Sequence, residues 1–356
     1  MKVLIVKLSS LGDVVHTLPV VQDMLAAFPS AQIDWVLEPS FAPVLAPVQG
    51  LHRVIPCALR RWRKSFWTAT TRAEWRAFKA DLQRDRYDAV LDLQGLTKSA
   101  LVARLARLQA GGQRYAMANR TEGSGYEAPT RWVADVALVL PPHIHAVARG
   151  RALAAGALGY TPAPAADFGL NQALVQVNIA LNAIDKGADG LLPCVALVHG
   201  TSRADKEWPL AHWVALGQRI EAAGGRVALA HGSAKELANS QAIAAQLRQA
   251  VVWPLLPLDG LTAALAGCCG VVGVDSGVSH IAVALGLPHV QIYNFDTAWR
   301  TGPDEAGGRQ VSVFAQPEPG LDEVWRSWLA CLETVKGEPV DTFNAFELLE
   351  SWADHP

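Results

Sequence analysis

Chemically capable side chains gather at four places where an apolar run ends and a helical pattern begins. The first is Leu8-Ser9-Ser10-Leu11-Gly12-Asp13, which follows a run ending at Lys7; Gly12 permits a tight turn, and Asp13 presents a carboxylate beyond the strand end. Such a carboxylate can take a proton from a reacting hydroxyl, or simply cap the helix by accepting backbone N–H bonds. The second is the segment from His199 to Pro209, with Pro209 as the first helical residue. Its Thr201, Ser202 and Lys206 offer hydroxyls and a cation suited to a diphosphate, although an ordinary capped helix with a solvated lysine reads the same way. In the third, Asp275-Ser276-Gly277 leads into a helix holding Ser279 and His280. Free N–H groups at a helix start can donate to a phosphate; Asp275 would repel one and fits a structural or sugar-hydroxyl role, and a lone helical histidine such as His280 is more often structural. The fourth is Glu236, just after Ala230-His231-Gly232-Ser233, where a carboxylate can accept both hydroxyls of a ribose.

A different chemistry is concentrated in Arg60-Arg61-Trp62-Arg63-Lys64, followed by Phe66 and Trp67, on a chain whose formal charge is only −2. Such a run is usually a solvated face. With aromatics beside it, single-stranded nucleic acid is a second reading, and an acidic ligand is a third, since arginines pair carboxylate and phosphate oxygens bidentately. Lys98, after Asp92-Leu93-Gln94-Gly95, and Arg120, in Asn119-Arg120-Thr121-Glu122, are further cations able to grip an anion. The stretch 119–129 contains Gly123, Ser124 and Gly125 with little periodicity, and reads as a loop that orders when a ligand binds.

The elements that must position these groups alternate in type, short β-branched runs with longer helical patterns, as parallel sheets with crossover helices require. Strands are expected at 2–7, 32–37, 53–57, 89–92 and 114–116, with helices at 13–28, 71–84, 96–108 and 143–158. A Pro- and Ala-rich stretch at 160–167 interrupts the pattern as an interdomain connection would. After it, strands at 194–199, 226–230, 251–253, 270–274 and 289–293 alternate with helices at 210–223, 235–248, 262–266 and 278–285; helices at 322–335 and 342–353 close the chain. This predicts α/β architecture with two Rossmann-like domains, 1–170 and 190–337. In open α/β sheets ligands bind beyond the carboxyl ends of the strands, where the four groups lie.

Composition bounds the function. The 356 residues are about twice the usual single-domain length, and the near-neutral balance, with 18% charged residues, argues against a general nucleic-acid binder. The charge-free apolar stretch 261–274 falls short of the roughly 18 residues of a membrane span, and the N-terminus has no apolar signal region, which points to the cytoplasm. Five cysteines form no Cys-x-x-Cys pair and no metal spacing, and no P-loop is present.

The run from Val3 to Pro19, Val-Leu-Ile-Val-Lys-Leu-Ser-Ser-Leu-Gly-Asp-Val-Val-His-Thr-Leu-Pro, resembles the opening of the bacterial lipopolysaccharide heptosyltransferases of glycosyltransferase family 9. The 60–64 run, the 92–99 segment, Thr201 to Pro209 and Val274 to His280 have similar counterparts in the same order. The resemblance implies the GT-B fold, two facing Rossmann-like domains with a final helix, within 340–356, crossing back to the first. It implies inverting transfer of heptose from an ADP-heptose donor to the Kdo of Kdo2-lipid A, without a metal or other cofactor, by a protein peripheral to the cytoplasmic face of the inner membrane. Asp13 matches the family's catalytic base. Lys206 would join it in catalysis and, with Thr201, Ser202, Glu236, Asp275, Ser276, Gly277 and His280, hold the donor; Ser10, Arg60, Arg61, Arg63, Lys64, Lys98 and Arg120 would hold the acceptor. The 60–64 run favours Kdo over a heptosylated core as acceptor. A nucleotide-sugar epimerase of the same fold and a non-catalytic sugar-binding protein are the rival classes. After the last donor strand, where relatives run Tyr-Gly-Pro-Thr, this chain departs with Tyr293-Asn294-Phe295-Asp296.

Overall fold

A computed structural model describes residues 1–170 and 194–334. The chain divides into two compact units, the first ending at Leu170.

In the first unit, β1 (Lys2–Val6), β2 (Gln32–Leu37), β3 (Leu51–Pro56), β4 (Arg86–Asp92), β5 (Arg107–Met117) and β6 (Val136–Leu138) pair in the order β3-β2-β1-β4-β5-β6, parallel throughout. Val3, Leu4, Ile5 and Val6 are fully buried, because a central strand of a parallel sheet is covered on both faces and so needs a continuous apolar run. The helices are α1 (Leu11–Val15), α2 (Leu18–Ala27), α3 (Leu59–Trp62), α4 (Ala69–Leu82), α5 (Thr97–Leu105), α6 (Pro129–Val133) and α7 (Ala146–Leu158). Arg151 of α7 pairs through two nitrogens with Asp23 of α2, at 2.6 and 2.8 Å, and donates to the carbonyls of Ala163 and Ala165. This buried fork pins the 160–167 stretch against the unit.

The second unit repeats the design with β7 (Cys194–Val198), β8 (Arg226–Leu229), β9 (Ala250–Val252), β10 (Gly270–Val274), β11 (His289–Tyr293) and β12 (Gln310–Phe314), ordered β12-β11-β10-β7-β8-β9 and again parallel. Its helices are α8 (Leu210–Ala222), α9 (Ala234–Ala244), α10 (Leu258–Ala266), α11 (Gly277–Ala284), α12 (Ala298–Thr301) and α13 (Leu321–Glu333). Trp208, Trp213 and Trp328 anchor a core with Leu197, Val272 and Ile292. Each sheet therefore runs outward from a central pair, β1/β4 and β7/β10, and reverses strand order there. That switch point is where doubly wound sheets open a crevice for ligands.

The structure departs from the sequence expectations at particular places. The expected 13–28 helix is two helices, broken at Thr17, whose hydroxyl donates to the Asp13 carbonyl and which precedes Pro19 in the first turn of α2. Gly12 lies inside α1 and makes no turn. Pro209 is the N-cap of α8 and not its first residue. The 96–108 helix stops at Leu105 because Arg107 already pairs with Arg86 in the sheet, and β5 is correspondingly longer than 114–116. Helix 262–266 starts earlier, at Leu258, and 235–248 ends earlier, at Ala244. The edge strands β6 and β12 were not anticipated: three residues give no period, and the run of β12 ends in an exposed Phe314. The 342–353 helix and its crossing back lie outside the described residues. Among the described residues no helix is long and apolar enough to cross a membrane.

Candidate active site

At the first switch point, the loops after β1 and β4 are laced together. Gln94 accepts the N–H groups of Leu8 and Ser9 through one oxygen, both at 3.0 Å, and Asp92 accepts those of Gln94 and Gly95. Gly95 takes φ of 77°, which only glycine adopts without strain, so the chain can turn into α5. Burial pushes the Asp92 carboxyl up to about 6 against the pull of Ser99, those N–H bonds and Lys7.

Asp13 is the third residue of α1, reaching back to accept both the N–H of Ser10 (3.1 Å) and its hydroxyl (2.9 Å) on one oxygen. The other oxygen meets Lys7 Nζ at 3.2 Å and Arg149 Nη2, from α7, at 3.9 Å. Helix capping and a charged constellation thus use the same carboxylate. Burial raises its pKa, but Lys7, the two Ser10 bonds and nearby His16 outweigh burial and hold it well below the usual carboxylate range. Lys7 itself is nearly inaccessible, held by the Leu93 carbonyl at 3.0 Å. Lys98 donates to Ser9 Oγ at 3.2 Å, so it braces the same loop.

The remaining basic residues of this unit are dispersed in role. Arg61 makes a two-nitrogen pair with Glu74, at 3.1 and 2.6 Å, and the Trp62 indole donates to the same carboxylate at 2.7 Å. Arg60 donates its backbone N–H to Glu38 and lies 5.6 Å over the Phe41 ring. Arg63 and Lys64 are exposed, with no carboxylate within 4.0 Å among the described residues. Arg120 is exposed at the start of a loop that is tied at both ends, through Asn119 to Leu140 and through Glu127 to the Thr97 N–H.

At the second switch point the loops after β7 and β10 converge on Asp275. Lys206, on a 3-10 turn, pairs with Asp275 Oδ2; His280 Nε2 of α11 lies 3.4 Å from Oδ1; Thr201 Oγ1 donates to the Asp275 carbonyl at 3.2 Å. Burial raises the Asp275 carboxyl, yet His280 and Lys206 together bring it far below the usual range. Ser276 caps α11 by accepting the Ser279 N–H, leaving Gly277 in its first turn. Beside this cluster a cavity of about 300 Å³, within the range of small-molecule sites, is lined by His199, Thr201, Ser202 and Glu236. Glu236 accepts the Gly232 N–H at 2.6 Å, and a Cβ at Gly200 would come within 2.8 Å of its Cδ, so glycine there lets the loop close on the carboxylate. The structure thus joins Thr201 to both groups, while Lys206, Asp275, Ser276, Gly277 and His280 stand apart from the cavity lining.

Three residues to which the sequence assigns no role also bear on these groups. Lys7 carried a signal, a lysine ending an apolar strand, which must find a counter-ion when buried. Arg149 carried none, since its approach to Asp13 is purely tertiary. Asn294, in the loop that departs from the family pattern, donates to the carbonyls of Asp205 and Glu207, at 3.2 and 2.9 Å, and so clamps the backbone on either side of Lys206. Among the described residues no group of three His, Cys, Asp or Glu side chains is arranged to hold a metal ion.

The sequence model of Glycosyltransferase family 9 (heptosyltransferase) matches residues 75–324. Lipopolysaccharide heptosyltransferase 1 of Pseudomonas aeruginosa is 40% identical over 300 residues, 82% of this chain and 78% of the relative. Lipopolysaccharide heptosyltransferase 2 of Escherichia coli is 26% identical over 307 residues, covering 82% of each. The solved structure of E. coli heptosyltransferase WaaC with ADP superposes with a TM-score of 0.80 at 33% identity, over 92% of this chain and 98% of that one. WaaC with ADP-2-deoxy-2-fluoro heptose gives 0.74 at 33% identity, over 94% and 99%. With two doubly wound units of the GT-B type and a family match over most of its length, this chain is a glycosyltransferase and belongs to glycosyltransferase family 9, the heptosyltransferases.

Proposed function

We propose that this enzyme transfers heptose from ADP-heptose to a hydroxyl of the Kdo in Kdo2-lipid A, with inversion at the anomeric carbon. The acceptor oxygen attacks that carbon, its proton passes to Asp13, and the bond to the β-phosphate oxygen breaks to release ADP. Lys206, the hydroxyls of Thr201 and Ser202, and the N–H groups at Ser276 and Gly277 balance the charge that grows on the departing diphosphate, so no metal ion is required. Asp275 and His280 aim Lys206, and Glu236 binds the ribose in the cavity it lines. Ser10, Lys98, Arg60, Arg61, Arg63, Lys64 and Arg120 hold acceptor anions, and the enzyme works as a peripheral protein on the cytoplasmic face of the inner membrane.

The observation that carries this reading is the state of Asp13. Its side chain is about a third exposed and ionised, and Ser10 and Lys7 fix it in the strand-end loop; because the Lys7 pair weakens it as a base, the proton passes to it as the new C–O bond forms and the attacking hydroxyl becomes acidic. The higher identity to heptosyltransferase 1 than to heptosyltransferase 2 supports Kdo over a heptosylated core as acceptor.

The test is ADP release from ADP-heptose with and without Kdo2-lipid A. Wild type should release ADP only with acceptor, and Asp13→Asn should lose about 10²–10⁴ in kcat while still binding donor. Near-normal turnover by the variant removes Asp13 as the base. Release only with a heptosylated core moves the acceptor one sugar outward, and release without acceptor points to an epimerase. Chelation by EDTA should leave the rate unchanged.

A further inference from the structure

Charge on this chain is unevenly placed. Between Arg60 and Lys79 stand seven basic residues and one acidic, Glu74, in a chain whose total is −2. Glu74 is already engaged by Arg61 and Trp62. Arg72, Arg76 and Lys79 are exposed on α4, and at 100° per residue they fall in one narrow stripe, with the alanines at 69, 73 and 80 exposed beside it. The buried side of α4, through Thr71, Phe78 and Leu82, lies about 100° around the helix from this stripe, so the stripe flanks the packed face and the alanines stand farthest from it. None of Arg63, Lys64, Arg72, Arg76 and Lys79 has a carboxylate within 4.0 Å among the described residues.

Immediately before α4, Phe66 is 55% and Trp67 86% exposed, the two rings packed edge to face on each other at 5.8 Å. Two large exposed rings in contact form a contiguous apolar patch, the kind of surface feature that marks an interaction site where a lone exposed side chain does not. The two features side by side, a basic helix stripe and an aromatic pair at its start, are what an anionic bilayer surface recognises: cations meet lipid phosphates while the indole settles among the headgroups. Nucleic acid fits less well, because the edge-to-face packing takes up a face of one ring and only small alanines lie along the stripe, so no row of aromatic faces is offered to successive bases.

We propose that the Phe66–Trp67 pair and the Arg72–Arg76–Lys79 stripe form the face by which this enzyme docks on anionic phospholipid. The face adjoins the 60–64 run assigned above to the acceptor but shares no residue with it, and it deepens the proposed function, on which it rests for its membrane-borne substrate. Each basic residue at such a surface contributes roughly fivefold to partitioning.

The full chain is floated with vesicles of phosphatidylglycerol and phosphatidylcholine, or of phosphatidylcholine alone. Binding should require the anionic lipid and fall with salt. The triple variant R72A/R76A/K79A should partition roughly a hundredfold more weakly, and F66A/W67A about tenfold more weakly. Because all five side chains are exposed, thermal melts should match the wild type. Two assays separate this face from the reaction itself: both variants should keep wild-type turnover on deacylated, water-soluble acceptor and lose it on acceptor embedded in vesicles. Vesicle binding unaffected by either variant, or binding of a single-stranded oligonucleotide that displaces the vesicles, overturns the proposal. Loss of turnover on the soluble acceptor in the wild type would instead count against the proposed reaction and leave the docking result to stand on flotation.

Discussion

The two switch points carry the same kind of object, a lysine–carboxylate pair, turned opposite ways. In the first unit the lysine is the sequestered partner: the Lys7 side chain is 4% exposed and that of Asp13 35%. In the second the carboxylate is sequestered, with Asp275 at 7% and Lys206 at 20%. Burial of one member leaves the other as the group a ligand can reach. The first unit therefore holds an accessible anion and the second an accessible cation; in the reaction proposed above, the one is assigned the acceptor's proton and the other the charge of the departing diphosphate. Supporting bonds follow the same inversion: Asp13 is flanked by Lys7, Arg149 and His16, whereas Lys206 is steadied through Asp275, itself gripped by His280.

After Asp13→Asn itself, the largest effect should come from removing the reachable cation. Lys206→Met is expected to lower kcat by about 10²–10³ with a smaller change in donor KM, read by steady-state ADP release, because the charge it balances is greatest in the transition state. A loss confined to KM would make Lys206 a mere binding residue and break the contrast. Exchanging the hidden lysine should act through acidity. With Lys7 as Met, burial of Asp13 is no longer offset by the nearest cation, so its pKa rises and the acid limb of kcat/KM moves to higher pH. The stability account has the same sign: the depressed Asp13 contributes fully above its unfolded value near 4 and loses that contribution as pH falls below it toward the folded value, so the variant should show a shallower loss of stability below about pH 4. Superimposable pH profiles for variant and wild type would mean that Lys7 does not set the carboxylate's charge. The smallest effect is assigned to the clamp on the second loop. Asn294→Gly removes two bonds flanking Lys206 and should weaken kcat/KM for the donor roughly tenfold, with ADP affinity, measured by calorimetry, falling in parallel.

Much of the architecture was legible because parallel sheets write themselves into a chain as apolar runs. β2, β10 and β11 fall at the residues their β-branched stretches indicate, whereas β6 and β12, short or half-exposed at the sheet edges, leave no such trace. Helix ends were misjudged where the sheet or a side-chain cap intervened, as at Arg107 and Thr17. Of the candidate site, Asp13, Thr201, Lys206, Asp275 and His280 were legible because strand-end loops are where such folds present chemistry.

By itself the sequence determined the alternation of elements, the two doubly wound units and the loops that bear the reactive types, since these depend on local pattern and on the rule that ligands meet strand ends. Only the tertiary structure decided which member of each ion pair is hidden, that Arg149 approaches Asp13 from a helix 136 residues away, and that Asn294 braces the Lys206 loop across 87 and 89 residues of chain. The physical reason is that burial and charge are set by everything packed around a side chain, and those neighbours come from distant parts of the chain that no spacing records.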